Sequence, residues 1–97
     1  MNFGSILIID DEPLMRVSMV DALMAVGYEV QEASTGTEGL DRLQTSEFNL
    51  VITDLRLPGA DGLKIVSQCK EQWPNTEVIV ITAHGSVDTA VHAMKGG

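Results

Sequence analysis

Three short apolar runs in this chain end in side chains that can do chemistry. Ile6-Leu7-Ile8-Ile9 runs into Asp10 and Asp11. Leu50-Val51-Ile52, followed by Thr53, runs into Asp54. Val78-Ile79-Val80-Ile81 runs into Thr82. Three carboxylates and a hydroxyl gathered in one place would form a hard-oxygen site. Two unit charges about 4 Å apart repel by about 4 kcal/mol at an effective dielectric near 20, so a cluster of carboxylates needs a cation, a bound proton or distance to offset it. A divalent ion with oxygen ligands fits best. Mg²⁺ takes one or two carboxylates and fills its remaining positions with a carbonyl, waters or phosphate oxygens. Asp10 and Asp11 are the expected fixed ligands, with Asp54 partly coordinating. Such an ion suggests phosphoryl chemistry, because it bridges protein carboxylates to phosphoryl oxygens. Asp54 can then act as a nucleophile that forms an aspartyl-phosphate, with Thr82 donating a hydrogen bond to the new group.

Each residue taken singly has a plainer reading. Asp-Asp-Glu after a strand is often a helix cap in a solvated turn, Asp54 could be a turn former, and Thr82 could bond backbone. What favours a site is that all of them fall at the same end of their apolar runs. They meet only if those runs are adjacent parallel strands.

The rest of the chain supplies that arrangement. Strands are expected at 5–10, 28–33, 49–54 and 77–82, with helices between them and after the last. Pro13 suits the first turn of a helix, which Asp11 or Glu12 can cap. Met15, Met19, Ala22, Leu23 and Val26 form its expected apolar stripe, with Leu14, Val17, Val20 and Met24 widening the apolar surface, and Gly27 closes it. Thr37, Leu40 and Leu43 mark a second helix ending near Gln44, after a Ser34-Thr35-Gly36 turn. Asp61 is the expected cap of a third helix, with Ile65, Val66, Cys69 and Trp73 inward, and Pro74 prevents its continuation. Gly85-Ser86 opens a fourth, with Val87, Ala90, Val91 and Met94 inward. Continuous apolar strands alternating with helices imply a parallel sheet covered on both faces. In a flavodoxin-like doubly wound sheet with strand order 2-1-3-4, strands one and three are neighbours, and their C-terminal ends flank the switch point where ligands bind.

Composition narrows the function classes. The 97 residues, 44% hydrophobic, fit one small soluble domain. A net charge of −8 disfavours direct nucleic-acid binding, which relies on basic side chains to release counterions. The single cysteine, Cys69, excludes an internal disulfide and a cysteine-based zinc site. No apolar run approaches a membrane span and no secretory signal is visible, so a cytoplasmic location is expected.

The motifs carry a family resemblance. Ile8-Ile9-Asp10-Asp11-Glu12-Pro13, Asp54-Leu55-Arg56-Leu57-Pro58-Gly59-Ala60-Asp61-Gly62 and Ile81-Thr82-Ala83-His84-Gly85 resemble the receiver domain of bacterial two-component response regulators, in order and along essentially the whole chain, 1–97. Residues 82–86 and 93–97 are most similar to receivers of nitrogen-regulation-type enhancer-binding transcription activators. The resemblance implies a phosphoacceptor signalling domain rather than an enzyme. Asp54 would accept a phosphoryl group from a histidine kinase. Asp10, Asp11 and Asp54 would hold Mg²⁺ with the backbone carbonyl of Arg56. Thr82 would be the switch hydroxyl, Ala83 would leave the phosphate accessible, and an output domain, transcriptional in this subfamily, would be switched.

Receivers of this family continue past Gly97 into a fifth strand, a Lys-Pro pair and a fifth helix, so the chain is expected to be a truncated (βα)4 form. The family lysine contacts the phosphoryl group. Lys95 lies about 13 Å beyond Ser86 along helix four, and Lys64 has nothing to aim it at the site. Strand four is then an expected edge, open to pairing with another chain, and helix one an expected uncovered face. A homodimer or swapped oligomer through either is anticipated. The rival reading is a receiver-like interaction or dimerisation module that is not phosphorylated. A flavin or nucleotide binder needs a phosphate-cradling loop after strand one, where Asp-Asp-Glu-Pro stands instead. A carboxylate phosphatase lacks a general acid beyond His84, and His92 reads as surface.

Overall fold

The computed structural model describes residues 4–81. They form β1 (Ser5–Ile9), α1 (Pro13–Val26), β2 (Glu29–Ala33), α2 (Gly36–Thr45), β3 (Leu50–Asp54), α3 (Gly62–Gln72) and β4 (Glu77–Ile81). All strand pairings are parallel and the order is β2-β1-β3-β4, as the doubly wound reading requires. The first three strands are each one residue shorter than expected at one end. Thr82 and the expected fourth helix, with Ala83, His84, His92 and Lys95, lie outside the described residues.

Burial follows position in the sheet. Ile6, Leu7, Ile8 and Ile9 of the central β1 are all 1% exposed or less. Successive side chains of a strand point to opposite faces, so this strand is covered on both. Continuous burial does not extend to the flanking strands. In β2 only Ala33 is buried and in β4 only Val80, with Ile79 45% exposed. Among the described residues these two strands are edges, with a partner on one side only.

One face carries a closed core. Leu7, Ile9, Val51 and Ala33 pack there with Leu43 of α2, Phe48, and Ile65 and Cys69 of α3. Thr35 caps α2 by accepting from the Glu38 N–H at 3.0 Å, while the Glu38 carboxylate accepts from the Ser34 N–H at 2.9 Å. Gly36, expected in the turn, is the first residue of the helix. Asp61 caps α3 by accepting from the Lys64 N–H, as expected. The Trp73 indole donates to the Leu43 carbonyl at 2.6 Å and ties the two helix ends together. Cys69 is fully buried, and burial pushes its thiol pKa up, which agrees with an inert sulfur.

Among the described residues the other face is covered by α1, and the expected details of that helix need correction. No residue of α1 is buried. Its partly covered positions are Arg16, Met19, Val20 and Leu23, an i, i+3, i+4, i+7 stripe; Met15, Ala22 and Val26 are exposed. Apolar residues surround this helix, so pattern alone did not fix its phase. Leu14 is 80% exposed, Val17 48% and Met24 56%. Neither Asp11 nor Glu12 caps the helix through its side chain. The Glu12 N–H is instead taken by the Asp10 carboxylate at 2.9 Å. Gly27 does close the helix: its N–H bonds Met24 and the Tyr28 N–H bonds Leu23, the paired bonds of a Schellman turn.

The β3–α3 loop is seated on α2. The Gly36 N–H donates to the Pro58 carbonyl at 2.9 Å. A Cβ at Gly36 would collide with the backbone carbonyl of Ala60. Gly36→Ala should therefore destabilise the fold by about 1–3 kcal/mol, the usual range for overpacking against atoms that cannot move aside. Thr35→Ala, which only removes a cap, should cost about 1 kcal/mol. Urea unfolding of both variants checks the order.

Candidate functional site

The parallel register between β1 and β3 builds the site. Ile9 pairs with Thr53, so the chain leaves both strands at the same level of the same edge. Asp10 follows the first strand and Asp54 ends the other. One carboxylate oxygen from each of Asp10, Asp11 and Asp54 lies within 4.8 Å of the other two. The structure thus brings together the three acids that the sequence singles out.

Their surroundings differ. Asp10 is 4% exposed, Asp11 is exposed and Asp54 is intermediate. The Asp10 N–H donates to the Ala33 carbonyl at 3.1 Å, which extends the ladder to β2 by one bond. Asp54 accepts the Arg56 N–H at 3.2 Å. Desolvation raises the Asp54 pKa, and the charges of Asp10 and Asp11 raise it further. The Arg56 N–H acts in the opposite direction and is outweighed. All three acids line a cleft of about 510 Å³, with Arg56 also on its wall and Leu14, Met15 and Ile81 forming an apolar side. Lys64 is not among the residues lining it.

Three hard oxygen donors, one buried and one raised in pKa by desolvation and by its neighbours' charge, suit a small divalent cation. Among the described residues the cluster is all carboxylate, a donor set that suits a hard cation. Phosphoryl transfer to a carboxylate is the reaction such a site can serve, because a bound cation would offset charge on both the acid and the incoming group.

Arg16 and Glu32 escape sequence reasoning. The Arg16 guanidinium reaches back along α1 to donate through Nη1 to the Asp10 carbonyl at 2.8 Å. Its Nε donates to Glu32 Oε1 on β2, also at 2.8 Å. No sequence signal marked Arg16 as inward, because the apolar pattern of α1 does not fix which face it buries.

Comparison with known proteins agrees with this geometry. The response regulator receiver domain family matches residues 6–97. The DNA-binding transcriptional regulator NtrC of Klebsiella pneumoniae is 36% identical over 97 residues, covering 100% of this chain and 21% of the relative. The chain spans about a fifth of the length of the curated relatives it matches. A response regulator protein from Burkholderia pseudomallei, solved with a phosphorylated aspartic acid, calcium ion and citrate, is 29% identical. It superposes with a TM-score of 0.87 over 96% of this chain and 55% of that one. Response regulator TrrA from Thermotoga maritima, solved in complex with Mg²⁺-BeF, is 30% identical, with a TM-score of 0.81 over 94% of this chain and 81% of that one.

The raised pKa of Asp54 has a definite sign. A carboxyl whose folded pKa lies above its unfolded value favours the fold while protonated, and that contribution is lost as pH rises through the folded pKa. Ionised Asp54 therefore weakens the metal-free protein at neutral pH. Asp54→Asn, which keeps an acceptor for the Arg56 N–H, should raise the Tm at about pH 7. The gain should shrink as the pH falls to about 4 and below, where carboxyls protonate. Thermal melts in chelator at the two pH values test this.

Proposed function

This chain belongs to the response regulator receiver domain family, and from that premise we propose that Asp54 is the phosphoacceptor of a two-component phosphorelay. The donor is a histidine kinase. A carboxylate oxygen of Asp54 forms a bond to phosphorus as the phosphorus–nitrogen bond of the phosphohistidine breaks, and the departing imidazole nitrogen takes up a proton. Asp10, Asp11 and Asp54, with the Arg56 backbone carbonyl, would hold Mg²⁺. When bound, the ion supplies charge stabilisation for the phosphoryl oxygens and offsets the repulsion among the acids. The Arg56 N–H orients Asp54. Thr82 is the switch hydroxyl that meets the phosphoryl group after transfer. The domain covers residues 1–97, acts in the cytoplasm, and switches an output domain of a transcriptional regulator.

The observation that carries this reading is the meeting of three carboxylates within 4.8 Å at the sheet's switch point. The phosphorylated aspartate and Mg²⁺-BeF in the two superposable structures support it. The raised pKa of Asp54 adds to it: desolvation and, after it, the charges of Asp10 and Asp11 disfavour the ionised acid, and a cation would offset both. A second reading, a non-phosphorylated interaction or dimerisation module, is favoured by the exposed Leu14, Val17 and Met24 of α1 and by β4, an edge strand among the described residues. The two readings separate at phosphate uptake.

Intact mass after incubation with acetyl phosphate and Mg²⁺ tests the proposal. One hydroxylamine-labile phosphoryl adduct is expected on the wild-type chain. None is expected on Asp54→Asn or in chelator. No adduct on a chain shown by circular dichroism to be folded would leave the interaction module as the reading.

A further inference from the structure

We infer that Arg16 is a positioning residue for the cation site, acting through the Asp10 main chain and secured by Glu32. The inference rests on the metal-binding role proposed for Asp10, Asp11 and Asp54. It concerns a residue outside that ligand set, on a different element.

Asp10 leaves β1 where the ladder stops. Its N–H is fixed by the Ala33 carbonyl of β2 at 3.1 Å. Its carbonyl lies just past the paired residues of β1 and β3 and is taken by Arg16 Nη1 at 2.8 Å. Its carboxylate accepts the Glu12 N–H at 2.9 Å. All three polar groups of this residue are thus engaged, and the residue is 4% exposed. Of the three, only the Arg16 bond comes from a side chain of α1. It holds the first turn of α1 against the end of β1.

Glu32 completes the device. The Arg16 side chain is only 17% exposed, so its charge needs a partner. Glu32 accepts from Nε at 2.8 Å, and it stands on β2 directly beside Ile8 of β1. The guanidinium therefore spans α1, β1 and β2 with its planar fork. Lysine, with a single point of donation, cannot copy that geometry. Groups that orient metal ligands from outside the coordination sphere commonly contribute a factor of about 10–100 in metal affinity. A carbonyl anchor on a buried ligand residue belongs in that class.

A merely structural ion pair would behave differently. Arg42 is the suitable control. It joins α2 to β2 through Gln31 at 2.9 Å and pairs with Glu38 of its own helix at 3.5 Å, and neither partner lines the cleft. Both arginines contribute to stability, but only Arg16 should affect the cation.

The test is calorimetric titration of the 97-residue chain with Mg²⁺ in the absence of any phosphodonor. Arg16→Met should weaken Mg²⁺ binding by about tenfold or more. Arg16→Lys should fall between Arg16→Met and wild type, and Glu32→Gln, which keeps an acceptor, should weaken binding less. Arg42→Met should bind Mg²⁺ as the wild type does while melting at a lower temperature. Wild-type affinity in Arg16→Met, or in Arg16→Lys should the methionine variant fail to fold, overturns the inference and leaves the phosphoacceptor reading intact. Equal weakening in Arg42→Met overturns it too, by assigning the loss to general destabilisation. A wild-type chain that binds no Mg²⁺ would overturn both readings together.

Discussion

The parallel pairing of β1 with β3 is the constraint on which this structure depends. It brings Asp10 and Asp54 out at one level and so forces like charges together. Full burial of an aliphatic side chain contributes about 1.5–3 kcal/mol. Ile6, Leu7, Ile8 and Ile9 are essentially fully buried, so this one strand can outweigh a carboxylate repulsion of about 4 kcal/mol. The cost does not disappear. Desolvation and, after it, the charges of Asp10 and Asp11 raise the pKa of Asp54. An energetic penalty carried by the free protein is also what gives a cation its differential affinity for the assembled cluster.

The two faces of the sheet are built unequally around that pairing. On one, α2 and α3 close over Leu7, Ile9 and Val51, and Trp73 joins their ends by one short bond. On the other, α1 lies with no buried residue of its own. Its hold comes from its ends and from polar bonds: the Gly27 closure, the Asp10 carboxylate at its first turn, and Arg16. The acids sit at the junction of these faces. Their cleft has a polar wall from the strand ends and an apolar wall from Leu14 and Met15 of α1.

The strands, their order and the meeting of the three acids were legible in the sequence. Buried parallel strands are unbroken apolar runs, and a run that ends on a carboxylate marks the edge where that carboxylate emerges. Burial of β2 and β4 was less legible, because an apolar run does not reveal whether a strand has one neighbour or two. The phase of α1 was not legible for a related reason. With Leu14, Met15, Val17, Met19, Val20, Leu23 and Met24 on nearly every side, the pattern has no single stripe. The inward place of Arg16 depends on acceptors supplied by Asp10 and Glu32, and such long-range polar matches leave no periodic trace. The cap of α1 was missed similarly: the acid that serves it precedes the expected position, and Asp11 is drawn into the cluster instead.

The acceptor is also positioned from the opposite side. Past Asp54 the chain must turn away from the sheet without carrying Arg56 from the cleft. It does so through closely spaced backbone contacts. The Gly62 N–H bonds the Leu55 carbonyl at 2.8 Å and the Gly36 N–H bonds Pro58 at 2.9 Å. Gly59 takes a φ of 87°, a region that side chains disfavour, directly against Thr37. Gly36 admits the Ala60 carbonyl where any Cβ would exclude it. The glycines thus let the loop lie flat on α2. A loop held this way fixes the Arg56 amide beneath Asp54 at 3.2 Å. The acid of β3 is therefore set by α2 through a backbone seat, while the acid of β1 is set by α1 through a guanidinium. Two helices on opposite faces of the sheet each position one carboxylate of the cluster.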